Sequence, residues 1–393
     1  MLAPEKIIYL DNNATTQVDP AVLEEMLPFL AKYFGNPSSG YRFGAQVRDA
    51  IDLARERVAA LLGCAPTEVV FTSGGTEANR SAIHSALQLD PARQHIVTTA
   101  VEHSAVRDLC RQLAQGGCEV TFVGVDEYGN LDLDELRDAI RPETALASVM
   151  WANNETGVLF PIAEAAAIAR EKRVLFHSDA VQAVGKIPIR VSDLSVNFLS
   201  ASAHKLHGPK GVGALYVSAR SAFRPLFLGG GQENKRRAGT ENVASIAGFG
   251  KAAELAASAL TNEQSQVRAL RDRFETTLLA QVPDTSVNGN PTQRLPNTSS
   301  ISFAGIDAGS ALLLLDQQKT CCSAGSACHT GSREPSHVLS AMGLPEERLR
   351  ASLRFSLSRF STDDEVDRAL ALIPPAIAKL RAMSPNQTVV VAR

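Results

Sequence analysis

Asn197-Phe-Leu-Ser-Ala201 is an apolar run that a short polar segment, Ser202-Ala-His-Lys205, closes before the chain enters the turn-rich Leu206-His-Gly-Pro-Lys-Gly211. The run reads as a buried strand. A lysine at the end of such a strand is desolvated, which lowers its pKa and frees the amine to form a Schiff base. Upstream, Arg173 to Phe176 forms a second apolar run, followed by His177-Ser-Asp179-Ala-Val-Gln182. Asp179 is a carboxylate of the kind that pyridoxal 5′-phosphate (PLP) needs opposite its ring nitrogen. Taken singly, Lys205 is more ordinary as a solvated turn residue, and His204 and His207 as loop polarity or a metal pair. A carbonyl cofactor is favoured because several independent features at strand ends fit it, and ligand sites in open α/β sheets sit at the carboxyl ends of strands.

Outward from these two runs the alternation continues. Val69 to Thr72, Ile96 to Thr99, Val120 to Val123, Ala147 to Trp151, Val174 to His177, Phe198 to Ala201 and Gly213 to Val217 are short apolar runs separated by helical patterns. The pattern predicts an α/β fold: a mostly parallel seven-stranded sheet with helices on both faces. The link from Ser202 to Val212 is too short for a crossover helix, so the last strand pair should be antiparallel. Ahead of the sheet, Val47, Ile51, Ala54, Val58 and Leu61 recur at helical spacing, with Gly63 as the stop. An alanine-rich helical stretch runs from Glu241 to about Gln281, and Pro283 to Pro296 has loop composition. A smaller α+β domain follows, with Thr298 to Phe303 as a strand, a helix around Gly309 to Gln317, a loop from Cys321 to Pro335, a strand from Leu349 to Leu357 and a final helix. The expected division is a large domain over residues 16–257 and a small domain made of residues 1–15 and 258–393.

The 393 residues, 45% of them hydrophobic, can fill both cores. A net charge of -3 with no block of like charges gives no electrostatic case for nucleic acid or a membrane surface. Small-molecule chemistry is favoured. The start, Met1-Leu-Ala-Pro-Glu-Lys6, lacks the pattern of a signal peptide, and no apolar stretch reads as long enough to cross a bilayer, so a cytoplasmic location is expected. The six cysteines are then expected as free thiols.

Other strand ends carry candidate chemistry. Phe71-Thr-Ser-Gly-Gly-Thr76-Glu runs from a strand into a helix. Bared backbone and a helix N-terminus make a phosphate site there, or else an ordinary helix capped by Thr76. His103 falls at the same sheet edge, where it can stack on a pyridine ring or move protons, though most single histidines do neither. The Trp151-Ala-Asn-Asn154-Glu-Thr-Gly157 turn supplies an amide or is a plain strand-end turn. The small residues around Cys328 suit an exposed nucleophile. A zinc or iron site from Cys321, Cys322, Cys328 and His329 fits no common spacing. Arg354 can grip a carboxylate through two parallel hydrogen bonds, or form a surface ion pair.

Eight segments together resemble the cysteine desulfurases: Tyr9-Leu-Asp-Asn-Asn-Ala-Thr-Thr16, Phe34-Gly-Asn-Pro-Ser-Ser39, Ser73-Gly-Gly-Thr-Glu77, Val149-Met-Trp-Ala-Asn-Asn-Glu-Thr-Gly157, His177-Ser-Asp-Ala-Val-Gln-Ala-Val-Gly-Lys186, Ser202-Ala-His-Lys205, Arg237-Ala-Gly-Thr-Glu-Asn242 and Gly325-Ser-Ala-Cys328. The resemblance covers about Tyr9 to Phe360. It implies a PLP fold-type I, aspartate aminotransferase-like homodimer that takes sulfur from L-cysteine and leaves L-alanine. On the matching positions, Lys205 would anchor PLP, Asp179 would keep the ring nitrogen protonated, Gln182 would bond the ring hydroxyl, and His103 would stack on the ring and help proton transfer. Gly75, Thr76, Ser202, Ala203 and His204 would line the phosphate site, joined by Thr240 of the neighbouring subunit. Asn154 and Arg354 would place the substrate carboxylate, and Cys328 would take the sulfur as a persulfide. The acceptor would be an iron–sulfur scaffold or another protein.

No resident metal site is expected, although Cys328 could act as a transient iron–sulfur ligand shared with a scaffold. Trp151, Leu159-Phe-Pro-Ile162 and Ser332-Arg-Glu-Pro-Ser-His-Val338 look most like the nitrogen-fixation branch. The end after Leu380 differs from the tail by which housekeeping members dock their scaffold, and Cys321-Cys322 is an unusual doublet that could compete with Cys328 or be inert. Alternatives are a selenocysteine lyase, another class V PLP enzyme, or a non-catalytic iron–sulfur assembly factor. The last would be expected to lack the lysine or the cysteine, and both are in place.

Overall fold

The structure, a computed structural model, describes residues 7–324 and 335–383. Twelve strands occur among them: β1 (Ile8–Tyr9), β2 (Val69–Thr72), β3 (His95–Thr99), β4 (Glu119–Val123), β5 (Thr144–Ser148), β6 (Leu175–Asp179), β7 (Phe198–Ser202), β8 (Gly213–Val217), β9 (Thr285–Val287), β10 (Thr298–Phe303), β11 (Thr320–Cys321) and β12 (Ser352–Ser356). Seven form one sheet in the order β2-β8-β7-β6-β5-β3-β4. Strands β3 to β7 run parallel, and β8 is antiparallel to both β7 and β2. The tight β7–β8 link therefore turns the chain back, as its length requires. Parallel strands buried on both faces read as continuous apolar runs, and β3, β5 and β7 are buried at every position.

Two boundaries differ from the sequence expectation. Strand β5 lies earlier than Ala147–Trp151. Beyond Ser148 only one edge stays paired, with the amides of Val149 and Trp151 donating to the carbonyls of His177 and Asp179. The expected strand Leu349–Leu357 is shorter, because Glu346–Arg350 is a helix and β12 begins at Ser352. Glu346 and Glu347 complement the positive end of that helix and Arg350 returns an i,i+4 bond to Glu346. Leu349 is buried on that helix, and a buried leucine suits a strand equally, so its apolarity does not distinguish the two.

The smaller sheet has the order β12-β10-β9, antiparallel throughout. The N-terminal segment crosses to this part of the molecule, where β1 pairs with β11. Its core joins Ile8 and Leu10 to Phe274, Phe303 and Phe355, with Phe274 and Phe355 edge to face at 5.0 Å between ring centres.

One helical run, Val243–Gln281, links the two cores through a π-helical turn at Glu263–Val267. By length and composition it could cross a membrane, which corrects the reading that no stretch approaches that length; its apolar window is 50% buried inside the molecule. Alanine and glycine are spread among polar residues here, so no unbroken apolar run marks it in the sequence. Its first half packs on the helix Arg42–Leu62, where Gly250 is needed: a Cβ there would lie 2.4 Å from Ala54 Cα.

Candidate active site

The carboxyl ends of β6 and β7 and the start of the helix Gly75–Leu89 converge on one place. Asp179 is the last residue of β6 and is buried. Its Oδ2 accepts from Asn79 Nδ2 at 2.6 Å and its Oδ1 from the Val181 amide at 3.0 Å. Ser202 ends β7, and Ala203–Lys205 form a single 3-10 turn beyond it. Lys205 is half-buried. Its Nζ donates to the carbonyls of Asn13 at 2.5 Å and Ala14 at 2.8 Å. The amine is thus drawn inward against the N-terminal segment.

Gly74, not Thr76, caps the helix Gly75–Leu89, and it offers no side chain to the first-turn amides. This corrects the alternative that Thr76 is the cap: Thr76 is inside the first turn. Glu77 reaches back to accept from the Ser73 amide at 2.8 Å, and Arg237 neutralises it from the other side at 2.9 Å. A Cβ on Gly75 would meet Val181 Cγ2 at 2.7 Å, so glycine lets the turn lie against β6 and Ser202. A free helix start, a bare backbone and a dipole end form an anion site. Thr240 is exposed and lines, with Ser73, Gly211 and Arg237, a hollow of about 190 Å³ next to it.

His103 caps the helix Ser104–Gln115, its Nδ1 accepting from the Ala105 amide at 3.1 Å. This fixes one ring nitrogen as an acceptor and leaves the proton of the neutral ring on the other. His204 bonds Thr15 Oγ1 through Nδ1 at 3.1 Å, and His207 bonds the Gln17 carbonyl at 3.0 Å. Burial, and for His204 also the charge of Lys205, pushes both pKa values down to about 3. They hold the N-terminal segment. Among the described residues no cluster of histidine, cysteine, aspartate or glutamate is arranged to hold a metal ion.

The substrate side is built from both parts of the molecule. Arg354, on β12, is buried; it donates to Asp11 Oδ1 at 2.7 Å and to the Asn154 carbonyl at 3.0 Å, while its Nε has no partner. Asn154 is also buried. The same Asn154 carbonyl accepts from Asn13 Nδ2 at 3.2 Å. Gln182 donates through Nε2 to the Asn13 carbonyl at 2.9 Å and accepts from Lys186 Nζ at 2.9 Å. Burial, reinforced by the charge of Lys205, pushes the Lys186 pKa down to about 7.

Residues 8–369 match the family described as Aminotransferase class-V. A cysteine desulfurase of Nostoc sp. (strain PCC 7120) is 52% identical over 379 residues, covering 96% of this chain and 95% of its own. The cysteine desulfurase NifS of Azotobacter vinelandii is 50% identical over 379 residues, covering 96% of this chain and 94% of its own. The chain belongs to the class-V aminotransferases, among the cysteine desulfurases. The solved structure of a NifS-like protein superposes with a TM-score of 0.89 at 36% identity, covering 95% of this chain and 100% of its own. The family works with PLP, and the residues here fit that group. The first-turn amides of Gly75–Leu89 offer a phosphate cradle that a Cβ at Gly75 would disturb, and Asp179 is a buried carboxylate at a strand end.

Cys328 lies outside the described residues. Burial pushes the thiols of Cys321 and Cys322 up, which disfavours thiolate at both. Cys64, Cys110, Cys118, Cys321 and Cys322 are all free thiols. Four residues of the site received no role from the sequence: Asn13, Lys186, Glu102 and Glu155. Asn13, Lys186 and Glu155 lie inside segments of the resemblance, and Glu102 precedes His103. Glu102 is fully buried, and its Oε1 accepts from Thr99 Oγ1 at 2.9 Å and the Met150 amide at 2.8 Å. Burial pushes its pKa up to about 8.

Proposed function

We propose that the protein is a PLP-dependent cysteine desulfurase that moves sulfur from L-cysteine to Cys328 and releases L-alanine. The observation that carries this reading is the enclosed Lys205 amine at the end of β7, next to Asp179 at the end of β6 and the uncapped start of the helix Gly75–Leu89. When bound, PLP supplies an electron sink for the substrate α-carbon. Asp179 would keep the proton on the ring nitrogen, and Gln182 would hydrogen-bond the ring hydroxyl. The amides of Gly75 and Thr76, with Ser202, Ala203 and His204, would hold the phosphate, and Thr240 of a second copy would complete it.

Arg354 has a buried, unpartnered Nε–H beside Asn154, and the two residues would take up the substrate carboxylate. Lys205 Nζ would take the α-proton and return a proton to carbon, with His103, beyond the carboxyl end of β3, assisting. Cys328 thiolate would attack the substrate sulfur: the new S–S bond forms as the Cβ–S bond breaks, and protonation of the carbon gives alanine. The Cys328 persulfide is then passed to a sulfur acceptor, for which an iron–sulfur scaffold is our first choice. The protein would act as a cytoplasmic homodimer.

The test is sulfide and alanine release from L-cysteine by the PLP-loaded protein, with Cys328→Ala and Lys205→Ala beside the parent. Cys328→Ala should keep the bound-cofactor absorbance and lose sulfide release. Lys205→Ala should lose the absorbance of covalently held cofactor. Full activity in the first, or an unchanged spectrum in the second, rejects the assigned role.

A further inference from the structure

Asn13 touches several residues of the site, and each of its polar groups is used. Its amide donates to Ser356 Oγ at 2.8 Å, and its Nδ2 donates to Thr298 Oγ1 at 2.8 Å and the Asn154 carbonyl at 3.2 Å. Its Oδ1 accepts from Asn297 Nδ2 at 3.1 Å and Lys186 Nζ at 3.3 Å. Its carbonyl accepts from Gln182 Nε2 at 2.9 Å and Lys205 Nζ at 2.5 Å. The residue is 1% exposed. A peptide unit held at all these points cannot shift without breaking buried bonds, each of which leaves an unpaired group behind.

The consequence falls on Lys205. A lysine side chain has four rotatable bonds, and an amine that has let go of its cofactor would otherwise sample many positions. Here two consecutive carbonyls, Asn13 and Ala14, hold it. Resting on the reading of Lys205 as the cofactor anchor, we propose that Asn13 is a positioning residue: with Ala14 it forms the seat on which the Lys205 amine rests whenever it is not joined to the cofactor. From that seat the amine can return to the cofactor and exchange a proton with substrate without a search. Lys186 and Asn297 keep the seat in place through the Asn13 side chain.

The test uses cofactor-free protein mixed with pyridoxal 5′-phosphate, with the rate of capture followed by absorbance and Lys205→Ala as the blank. The variants are Asn13→Ala and Asn13→Asp; the second keeps the size and the acceptor oxygen but loses both Nδ2 donations. Asn288→Ala is the control for lost stability, because Asn288 is a buried asparagine whose bonds go to Ser300, Ser302, Ser352 and Arg348, away from Lys205. Capture and kcat are expected to fall by about tenfold or more in Asn13→Ala, since small misplacements of a reacting group carry losses of that order. Asn13→Asp should lose less. Asn288→Ala should capture at the parent rate even where its melting point falls as far. Capture at the parent rate in the Asn13 variants, or equal slowing in Asn288→Ala, overturns the inference. If Asn13→Ala does not fold, the Asn13→Asp capture rate decides alone. A parent that captures no cofactor at Lys205 refutes the functional reading, whereas a working parent with unaffected Asn13 variants refutes only the seat.

Discussion

Glu102 should make the protein lose stability as pH rises, and Glu102→Gln should remove that loss. The carboxyl is fully buried, receives two hydrogen bonds on Oε1 and none on Oε2, and faces the further negative charge of Asp179. Burial first, then that charge, raises its pKa from 4.5 to about 8. Between those two values the unfolded chain has released a proton that the folded chain still holds. Stability therefore falls with rising pH, at about 1.4 kcal/mol per pH unit and about 5 kcal/mol across the window. Below the lower value the contribution is fully present; above the upper one it is gone. Glutamine keeps the Oε1 acceptor and, like the protonated acid, carries its hydrogens on the other atom, so it should be close to neutral in effect at pH 5. The measurement is urea unfolding of parent and Glu102→Gln at several pH values from 5 to 9. The variant should gain on the parent steadily as pH rises. Parallel stability curves would refute the reasoning, because they would mean that Glu102 is already ionised in the fold.

Three further perturbations test the structure at separate points. Gly250→Ala places a Cβ 2.4 Å from Ala54 Cα, between two packed helices, and should destabilise by about 1–3 kcal/mol or more in urea unfolding. Glu275→Ala leaves the Arg294 guanidinium, bonded to both Glu275 oxygens, buried without its partner. That should cost about 3–5 kcal/mol, much of it recovered when Arg294→Met is added, read by a double-mutant cycle of unfolding midpoints. Asp179→Asn should keep the fold, because the unpartnered Asn79 Oδ1 can turn to meet the new amide. Sulfide release should still fall on the order of a hundredfold, as for removal of one electrostatic contact to a developing charge.

Much of the fold could be read from the sequence because its strands are of the kind that declare themselves. A strand covered on both faces is buried along its whole length, so β3, β5, β7 and β8 stand out from helical spacing without an alignment. Apolarity is ambiguous where it serves two purposes. Leu349 points into the core from a helical turn, and Val149 to Trp151 stay apolar although the strand has ended. The strand-end residues Asp179, Ser202 and Lys205 were legible because position in an α/β sheet implies a site. Asn13 was not, because its partners lie 141 to 343 residues away along the chain. Glu102 and Glu155 flank two assigned residues, His103 and Asn154, yet a carboxyl declares its role only once its burial is known.

These unassigned residues also tie the residues on either side of the Cys328 segment to the site. On its near side, Ser323 exchanges backbone bonds with Arg354 and donates its hydroxyl to Asp11 Oδ1, the same oxygen that Arg354 grips. On its far side, Ser336 donates to Glu155 Oε2 at 2.5 Å and His337 Nε2 donates to the Glu102 carbonyl at 2.9 Å. Arg354, the candidate carboxylate grip, therefore holds the near end, while the far end rests on the neighbours of Asn154 and His103. Burial raises the pKa of Glu155 against the pull of Arg354, so its hydrogen bond to Ser336 is made in a dry environment, where breaking it is costly. The residues that would place the substrate share polar contacts with Ser323 and Ser336, which flank the segment of the candidate nucleophile Cys328, and a change at Asp11 or Glu155 should be felt in sulfur transfer.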